Sequence, residues 1–149
     1  MSAFFAPLII TSSAAEETPP LATITLTING GALRAEVADD GGARQQGLSD
    51  REHLPPDSGM LLAFPMPNNF CLWMHNVHFD LDAAFLDDRG AVIATVAMKE
   101  ETKNLHCPPA PAQYAVETPA GWLKKYNVQP GDAVLGLPPV SEPVPAPIE

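Results

Sequence analysis

Turn-forming residues interrupt this chain so often that its regular segments must be short. Seventeen of its 149 residues are proline and ten are glycine. Residues 23–28 and 33–38 flank Asn29-Gly30-Gly31, a sequence typical of a tight hairpin turn because these residues accept positive φ. The pattern predicts a mainly β fold, either a small sandwich or a partly closed barrel, with one or two short helices.

Further strands are predicted wherever apolar or alternating runs follow turn residues. They cover residues 60–64, 70–74, 83–86, 91–98, 113–118 and 133–137. A short helix is predicted within 43–54, ended by Pro55-Pro56, and another within 120–127, while 100–112 is predicted as loop. The length favours a single domain, which we place at residues 23–137.

The two ends of the chain have a different composition. An apolar run at residues 4–10 precedes the small residues Ser13, Ala14 and Ala15, so residues 1–15 are predicted to be a secretory signal peptide and 16–22 a linker. A basic residue before the apolar run is missing, and a misassigned start is the alternative. The proline-rich tail, 138–149, is predicted to be extended or disordered. A periplasmic or secreted location is expected.

The charge balance limits the possible partners. Eight Lys and Arg residues stand against 18 Asp and Glu residues, for a formal net charge of -10. Such an acidic chain has no electrostatic reason to bind nucleic acid. No apolar stretch approaches the roughly 20 residues that span a bilayer, so no transmembrane segment is predicted.

The two cysteines, Cys71 and Cys107, do not form a C-x-x-C motif. In an oxidising compartment they are expected to form one structural disulfide, closing a loop of about 37 residues. The alternative is a cysteine nucleophile paired with a histidine, which no surrounding motif supports.

Several short sequence blocks follow one another along the chain in a specific order and spacing. The blocks are Arg44-Gln45-Gln46-Gly47-Leu48 with Arg51 and Leu54, Gly59-Met60-Leu61 with Phe64, Trp73-Met74-His75-Asn76, Leu81-Asp82 with Phe85, residues 112–117, Ala120-Gly121-Trp122 and Gly131-Asp132. Together they resemble one family, domain of unknown function 192 (DUF192), and their order and spacing are more specific than any single block. The resemblance covers about residues 23–137. This chain departs from the family pattern at Ser49, His75, Val77 and Asp80, where the family usually has Met, a basic residue, Thr and Pro.

The resemblance implies a mainly β, sandwich-like fold and a secreted or periplasmic protein. A subgroup of the family has cysteines at the positions of Cys71 and Cys107, which supports the disulfide. The family has no established biochemical activity, so the resemblance implies no reaction.

Arg44 is the first candidate site residue, because a guanidinium can grip a carboxylate or phosphate through two hydrogen bonds. Its alternative is a structural ion pair with Asp82 or Glu117. The complete set of candidate ligand-binding residues is Arg44, Trp73, Met74, Asn76, Asp82 and Glu117.

Residues 73–82 are the most unusual segment. If this segment continues as a strand, successive side chains alternate between two faces, which separates its polar residues from its apolar ones. Asn76, His78, Asp80 and Asp82 share one face, and Trp73, His75, Val77, Phe79 and Leu81 share the other, where His75 would be buried. The candidates for a divalent metal site are His75, His78 and Asp80.

No cofactor is expected, although a divalent metal or copper stays open. A copper(I) site would draw on Met60, Met66, Met74 and Met98 with His75, His106 and the cysteines. Methionine is more often core filler, and no M-x-x-M cluster is present.

Three functions are open at this level. The first is an exported, non-enzymatic binding or accessory protein of the cell envelope that takes a small polar ligand, with Trp73 or Trp122 stacking on it. The second is a metal-binding protein or metal-dependent enzyme that uses residues 75–82. The third is a partner for another envelope protein, with the proline-rich tail as the bound segment. The sequence contains no G-x-S-x-G motif of the kind that marks the nucleophile of many hydrolases.

Overall fold

A computed structural model of the protein describes residues 3–4, 6–9 and 19–139. The predicted cleavage residues 13–15, part of the predicted linker and tail residues 140–149 lie outside this description. The elements in chain order are β1 (Thr23–Ile28), β2 (Gly31–Ala38), α1 (Gly41–Gln46), β3 (Ser58–Asn68), β4 (Leu72–Trp73), β5 (Leu81–Leu86), β6 (Val92–Met98), β7 (Leu105–His106), β8 (Ala112–Pro119), α2 (Trp122–Lys125) and β9 (Val134–Leu135).

Seven of the strands form one curled sheet in the order β6-β5-β8-β3-β2-β1-β9. The pairs are antiparallel, except that β2 and β3 are parallel. The two ends of the sheet meet at one corner, where Ala91 bridges Ala133 and the Gly131 amide donates to the Val92 carbonyl at 2.8 Å. The predicted mainly β fold with two short helices is therefore confirmed as a half-barrel.

The hairpin of β1 and β2 forms as its turn residues predict. Ile28 pairs with Gly31, so Asn29 and Gly30 form the two-residue loop, with φ values of 51° and 81°. Positive φ at both positions is what a tight hairpin with the normal strand twist requires.

The sheet has a hydrophobic core on each face. On one face, Leu26, Leu61 and Val116 pack with Trp122 of α2. On the other, Met60 and Phe85 are covered by Leu48, from the connection after α1, and by residues 72–77. Side chains alternate along β8, so Val116 belongs to the first core and Ala115 to the second, and Glu117 points toward the second face.

A second sheet consists of β4 and β7, with Trp73 opposite Leu105. Cys71 precedes β4 and Cys107 follows β7, and their sulfurs lie within bonding distance, with Cα atoms 4.2 Å apart. The predicted disulfide is confirmed, and the alternative of a free cysteine nucleophile is wrong.

Three local predictions are corrected by the structure. The first helix is confined to Gly41–Gln46, because Gly47 leaves the helical conformation with φ 49°. Residues 74–80 are not a strand, because Asn76 takes φ 55° and turns the chain. The loop predicted over 100–112 contains the short strand β7, which exists only because β4 pairs with it.

No helix within residues 3–4, 6–9 and 19–139 is long and apolar enough to cross a membrane.

Gly59 of β3 lies close to the backbone of β8 and leaves no space for a side chain. A methyl group there would overlap the carbonyl oxygen of Glu117 and lie 3.2 Å from a methyl carbon of Leu33. We expect Gly59→Ala to lower the free energy of unfolding by about 1–3 kcal/mol, the usual cost of overpacking. Urea unfolding measures this change, with Gly41→Ala as the matched control because its added methyl meets nothing within 4 Å. Equal midpoints for the two variants would contradict the expectation.

Candidate functional site

A cleft of about 290 Å³ lies on the second face of the sheet. One wall is residues 44–49, from α1 and the turn that follows it, and the other is made by residues 71–73, His75 and Val77. Glu117 of β8 also lines this space, so we call it the Glu117 cleft. It brings together three of the candidate ligand-binding residues, Arg44, Trp73 and Glu117, and the metal candidate His75.

Glu117 is a buried carboxyl group, with 7% of its surface exposed. Its cross-strand neighbours are Met60 on β3 and Ala83 on β5, and neither side chain can donate a hydrogen bond. No side-chain hydrogen bond or ion pair to its carboxylate forms within the described residues. Burial raises the pKa of Glu117 to about 7, because the charged form loses its hydration without a compensating partner.

Arg44 does not neutralise Glu117. Its Nη1 donates to the carbonyl of Ala63 at 2.8 Å, and the guanidinium carbon lies 4.5 Å from the centroid of the Phe64 ring. The predicted structural ion pair of Arg44 with Asp82 or Glu117 is therefore wrong, because a backbone carbonyl and an aromatic face hold the guanidinium.

Trp73 and His75 form an aromatic wall of the cleft. Their rings stack with centroids 4.6 Å apart and planes 27° apart, and 54% of Trp73 is exposed. Ser49 Oγ donates to the His75 carbonyl at 2.8 Å, which ties this wall to the opposite one. His75 is exposed, so the prediction that it is buried among apolar side chains is wrong, since the chain turns at Asn76.

The other candidate ligand-binding residues lie outside the cleft. Met74 is buried in the second core, with 1% of its surface exposed. Asn76 lies in a turn, and its carbonyl accepts a hydrogen bond from the Asp50 amide. Asp82 accepts the amide of Gly121 at 2.8 Å, next to the start of α2. These three residues therefore have structural positions, and Asp82 lines a separate cleft that contains Lys124.

The metal candidates are not brought together. His78 Nδ1 lies 2.9 Å from the Glu101 carboxylate, and Asp80 accepts the Glu100 amide at 2.9 Å. Because residues 74–80 are not a strand, the predicted face of Asn76, His78, Asp80 and Asp82 does not form. Across 3–4, 6–9 and 19–139, no three His, Cys, Asp or Glu residues are grouped to hold a metal ion.

The copper(I) set is also dispersed. Three of its methionines, Met60, Met74 and Met98, are buried in the second core, whereas Met66 is 60% exposed. Both cysteines are in the disulfide and supply no thiolate.

The sequence model of the DUF192 family, described as an uncharacterized ACR, matches residues 24–136. The chain belongs to the DUF192 family. A solved structure of a putative transcription regulator from Sinorhizobium meliloti 1021 is 28% identical, with a TM-score of 0.77 over 80% of this chain and 98% of the other. A protein of unknown function from Novosphingobium aromaticivorans DSM 12444 is 22% identical, with a TM-score of 0.73 over 87% of this chain and 99% of the other. No curated protein matches the chain.

Two of the blocks that resemble the DUF192 pattern form the walls of the Glu117 cleft. The R-x-x-G-L block supplies Arg44, Gly47 and Leu48, and the block that begins at Trp73 supplies the aromatic wall. Gln46 and Ser49 also line the cleft but were not candidates, and Cys71, which was a candidate for the disulfide and the copper site, lines it as well. No sequence pattern indicates that they meet Glu117, because their contact depends on how two separate connections cover the sheet.

This DUF192 protein has a larger cleft, of about 860 Å³, between residues 19–22 and α1. Three of its charged groups have partners: Arg51 pairs with Glu36, and Asp40 accepts the Ala43 amide to cap α1. The Glu117 cleft differs because its carboxyl group is buried and has no side-chain hydrogen bond or ion pair within the described residues.

Proposed function

We propose that this DUF192 protein is an exported, non-enzymatic binding or accessory protein of the cell envelope. Its ligand is a small polar molecule, such as a saccharide or an envelope fragment, held in the Glu117 cleft. The observation that carries the proposal is the unpaired, buried carboxyl group of Glu117 in the same cleft as the exposed indole of Trp73.

Trp73 and Glu117 provide complementary modes of recognition. An exposed indole stacks on the apolar face of a sugar ring, and a buried carboxyl group fixes orientation by hydrogen bonding. A volume of about 290 Å³ is near the lower end for small-molecule sites, which supports a ligand of one or two sugar rings.

Two features support a non-enzymatic role and export. The described lining of the cleft holds a single carboxyl group, whereas glycoside hydrolysis normally uses two. The disulfide is compatible with an oxidising compartment, where such bonds persist. A regulatory role of the kind named for the Sinorhizobium protein is less well supported, because a net charge of -10 disfavours direct contact with nucleic acid.

Tryptophan fluorescence tests the proposal, because the two tryptophans are in different environments. Trp122 is 5% exposed and donates to Asp57, whereas Trp73 faces the cleft, so a bound ligand should change the emission of Trp73 alone. We expect saturable changes with members of a panel of monosaccharides and peptidoglycan fragments, and at least tenfold weaker binding by Trp73→Ala.

Isothermal calorimetry on the same panel provides a readout that does not depend on the indole. Met66→Ala is the matched control, since Met66 is 60% exposed and does not line the cleft. Neither fluorescence change nor heat with any member of the panel would count against the proposal, as would equal affinities of Trp73→Ala and the wild type.

A further inference from the structure

The carboxylate of Glu117 lacks a countercharge in the described structure. A buried anion is costly unless it is paired and hydrogen-bonded. The raised pKa of Glu117 has burial as its cause. A ligand that brings a positive charge would therefore relieve a cost that the empty protein already carries.

The groups that face Glu117 do not supply this charge themselves. The residues opposite Glu117 on the neighbouring strands β3 and β5 are Met60 and Ala83, whose side chains are uncharged. From α1, Arg44 is held by the Ala63 carbonyl and the Phe64 ring, and no ion pair joins it to Glu117. The remaining titratable residue that lines the cleft is His75, in the aromatic wall, where its ring stacks on Trp73.

We propose that the Glu117 cleft recognises its ligand through a protonated amino group, which binds the Glu117 carboxylate while the rest of the ligand lies along Trp73. The ligand class is then a small amine-bearing polar molecule, such as an amino sugar or an aminoalkyl glycoside. This inference rests on the proposed function and specifies the ligand of the same site.

Two other features favour an ammonium ligand. The face of an indole attracts ammonium groups within about 6 Å of its centre, and Trp73 lines the same cleft as Glu117. The chain also carries a net charge of -10, which raises the local concentration of cations and speeds their association.

The pair 2-aminoethyl β-D-glucopyranoside and 2-hydroxyethyl β-D-glucopyranoside tests the inference. The two probes differ in one terminal group, and a primary alkyl amine stays protonated between pH 5.5 and 8. Calorimetry at pH 8 is expected to give at least tenfold tighter binding of the amine. Between pH 8 and pH 5.5 its affinity should fall about 30-fold, because Glu117 takes up a proton with a pKa of about 7.

Glu117→Gln should remove both the preference for the amine and its pH dependence, so that the variant binds the two probes with similar affinity at pH 8 and at pH 5.5. Glu100→Gln is the control, because Glu100 is exposed and does not line the cleft. Equal affinity for the two probes in the wild type would overturn the amine inference and leave the proposed function standing. A preference that survives in Glu117→Gln would overturn the assignment to Glu117. If neither probe binds and no member of the saccharide panel binds, both proposals are overturned.

Discussion

Glu117→Gln is expected to stabilise the empty protein by about 3 kcal/mol at pH 8 and to leave its stability nearly unchanged at pH 4. The pKa of Glu117 rises from 4.5 to about 7 on folding, since the carboxyl group becomes buried without a partner. One pKa unit corresponds to about 1.4 kcal/mol, so ionising this group in the folded protein costs about 3 kcal/mol more than in the unfolded chain. Glutamine has a similar shape and cannot ionise, so it avoids this cost.

The pH window follows from the direction of the shift. Between pH 4.5 and pH 7 the folded protein holds the proton of Glu117 and the unfolded chain has lost it. The Glu117 contribution to stability therefore falls as pH rises through this window and levels off above it. Below pH 4.5 the group is neutral in both states.

Urea unfolding of the wild type and Glu117→Gln at pH 4, 6 and 8 measures the effect. Glu100→Gln is the control, because Glu100 has an exposed side chain. If Glu117→Gln and the wild type differ by the same amount at all three pH values, the buried carboxyl group is not the source.

Replacing both cysteines, as Cys71→Ala with Cys107→Ala, is expected to lower the free energy of unfolding by about 4 kcal/mol. The bond joins residues separated by 36 positions, and its removal returns loop-closure entropy to the unfolded chain. The effect is large compared with the 5–15 kcal/mol that stabilises typical domains.

Thermal and urea unfolding, with and without a reductant, measure this change. Wild-type protein with its disulfide reduced should approach the double variant, and the double variant itself should not respond to reductant. A double variant as stable as the oxidised wild type would contradict the expectation. Because the bond joins the residues next to β4 and β7 and Trp73 belongs to β4, ligand affinity should also fall in the double variant.

The sequence predicted best those elements that local chemistry determines. The hairpin of β1 and β2 depends on Asn29 and Gly30, whose conformational preferences act within a few residues. The apolar run at residues 60–64 and the segment 113–118 were both predicted as strands, and they lie within β3 and β8. The disulfide was expected from compartment and family resemblance.

The parts that were predicted wrongly depend on long-range contacts. The apolar start of residues 73–82 favoured a strand, but β4 ends at Trp73 because its partner, β7, is only two residues long. Arg44 was expected to pair with an acidic residue, whereas the fold presents the Ala63 carbonyl and the Phe64 ring to it. The buried, unpaired state of Glu117 depends on strands β3 and β5 on either side and on two connections above it, which no local pattern encodes.

The strand order also determines when the sheet can be completed. β8 lies between β5 and β3, yet it is the eighth strand along the chain. A chain that emerges N-terminus first therefore holds the β1-β2-β3 group and the β5-β6 hairpin apart until residues 112–119 become available to join them. Such late, long-range pairing slows folding and leaves strand edges open meanwhile. Truncations that stop before residue 112 should consequently remain unfolded, and cooperative folding should require the chain to extend through β8.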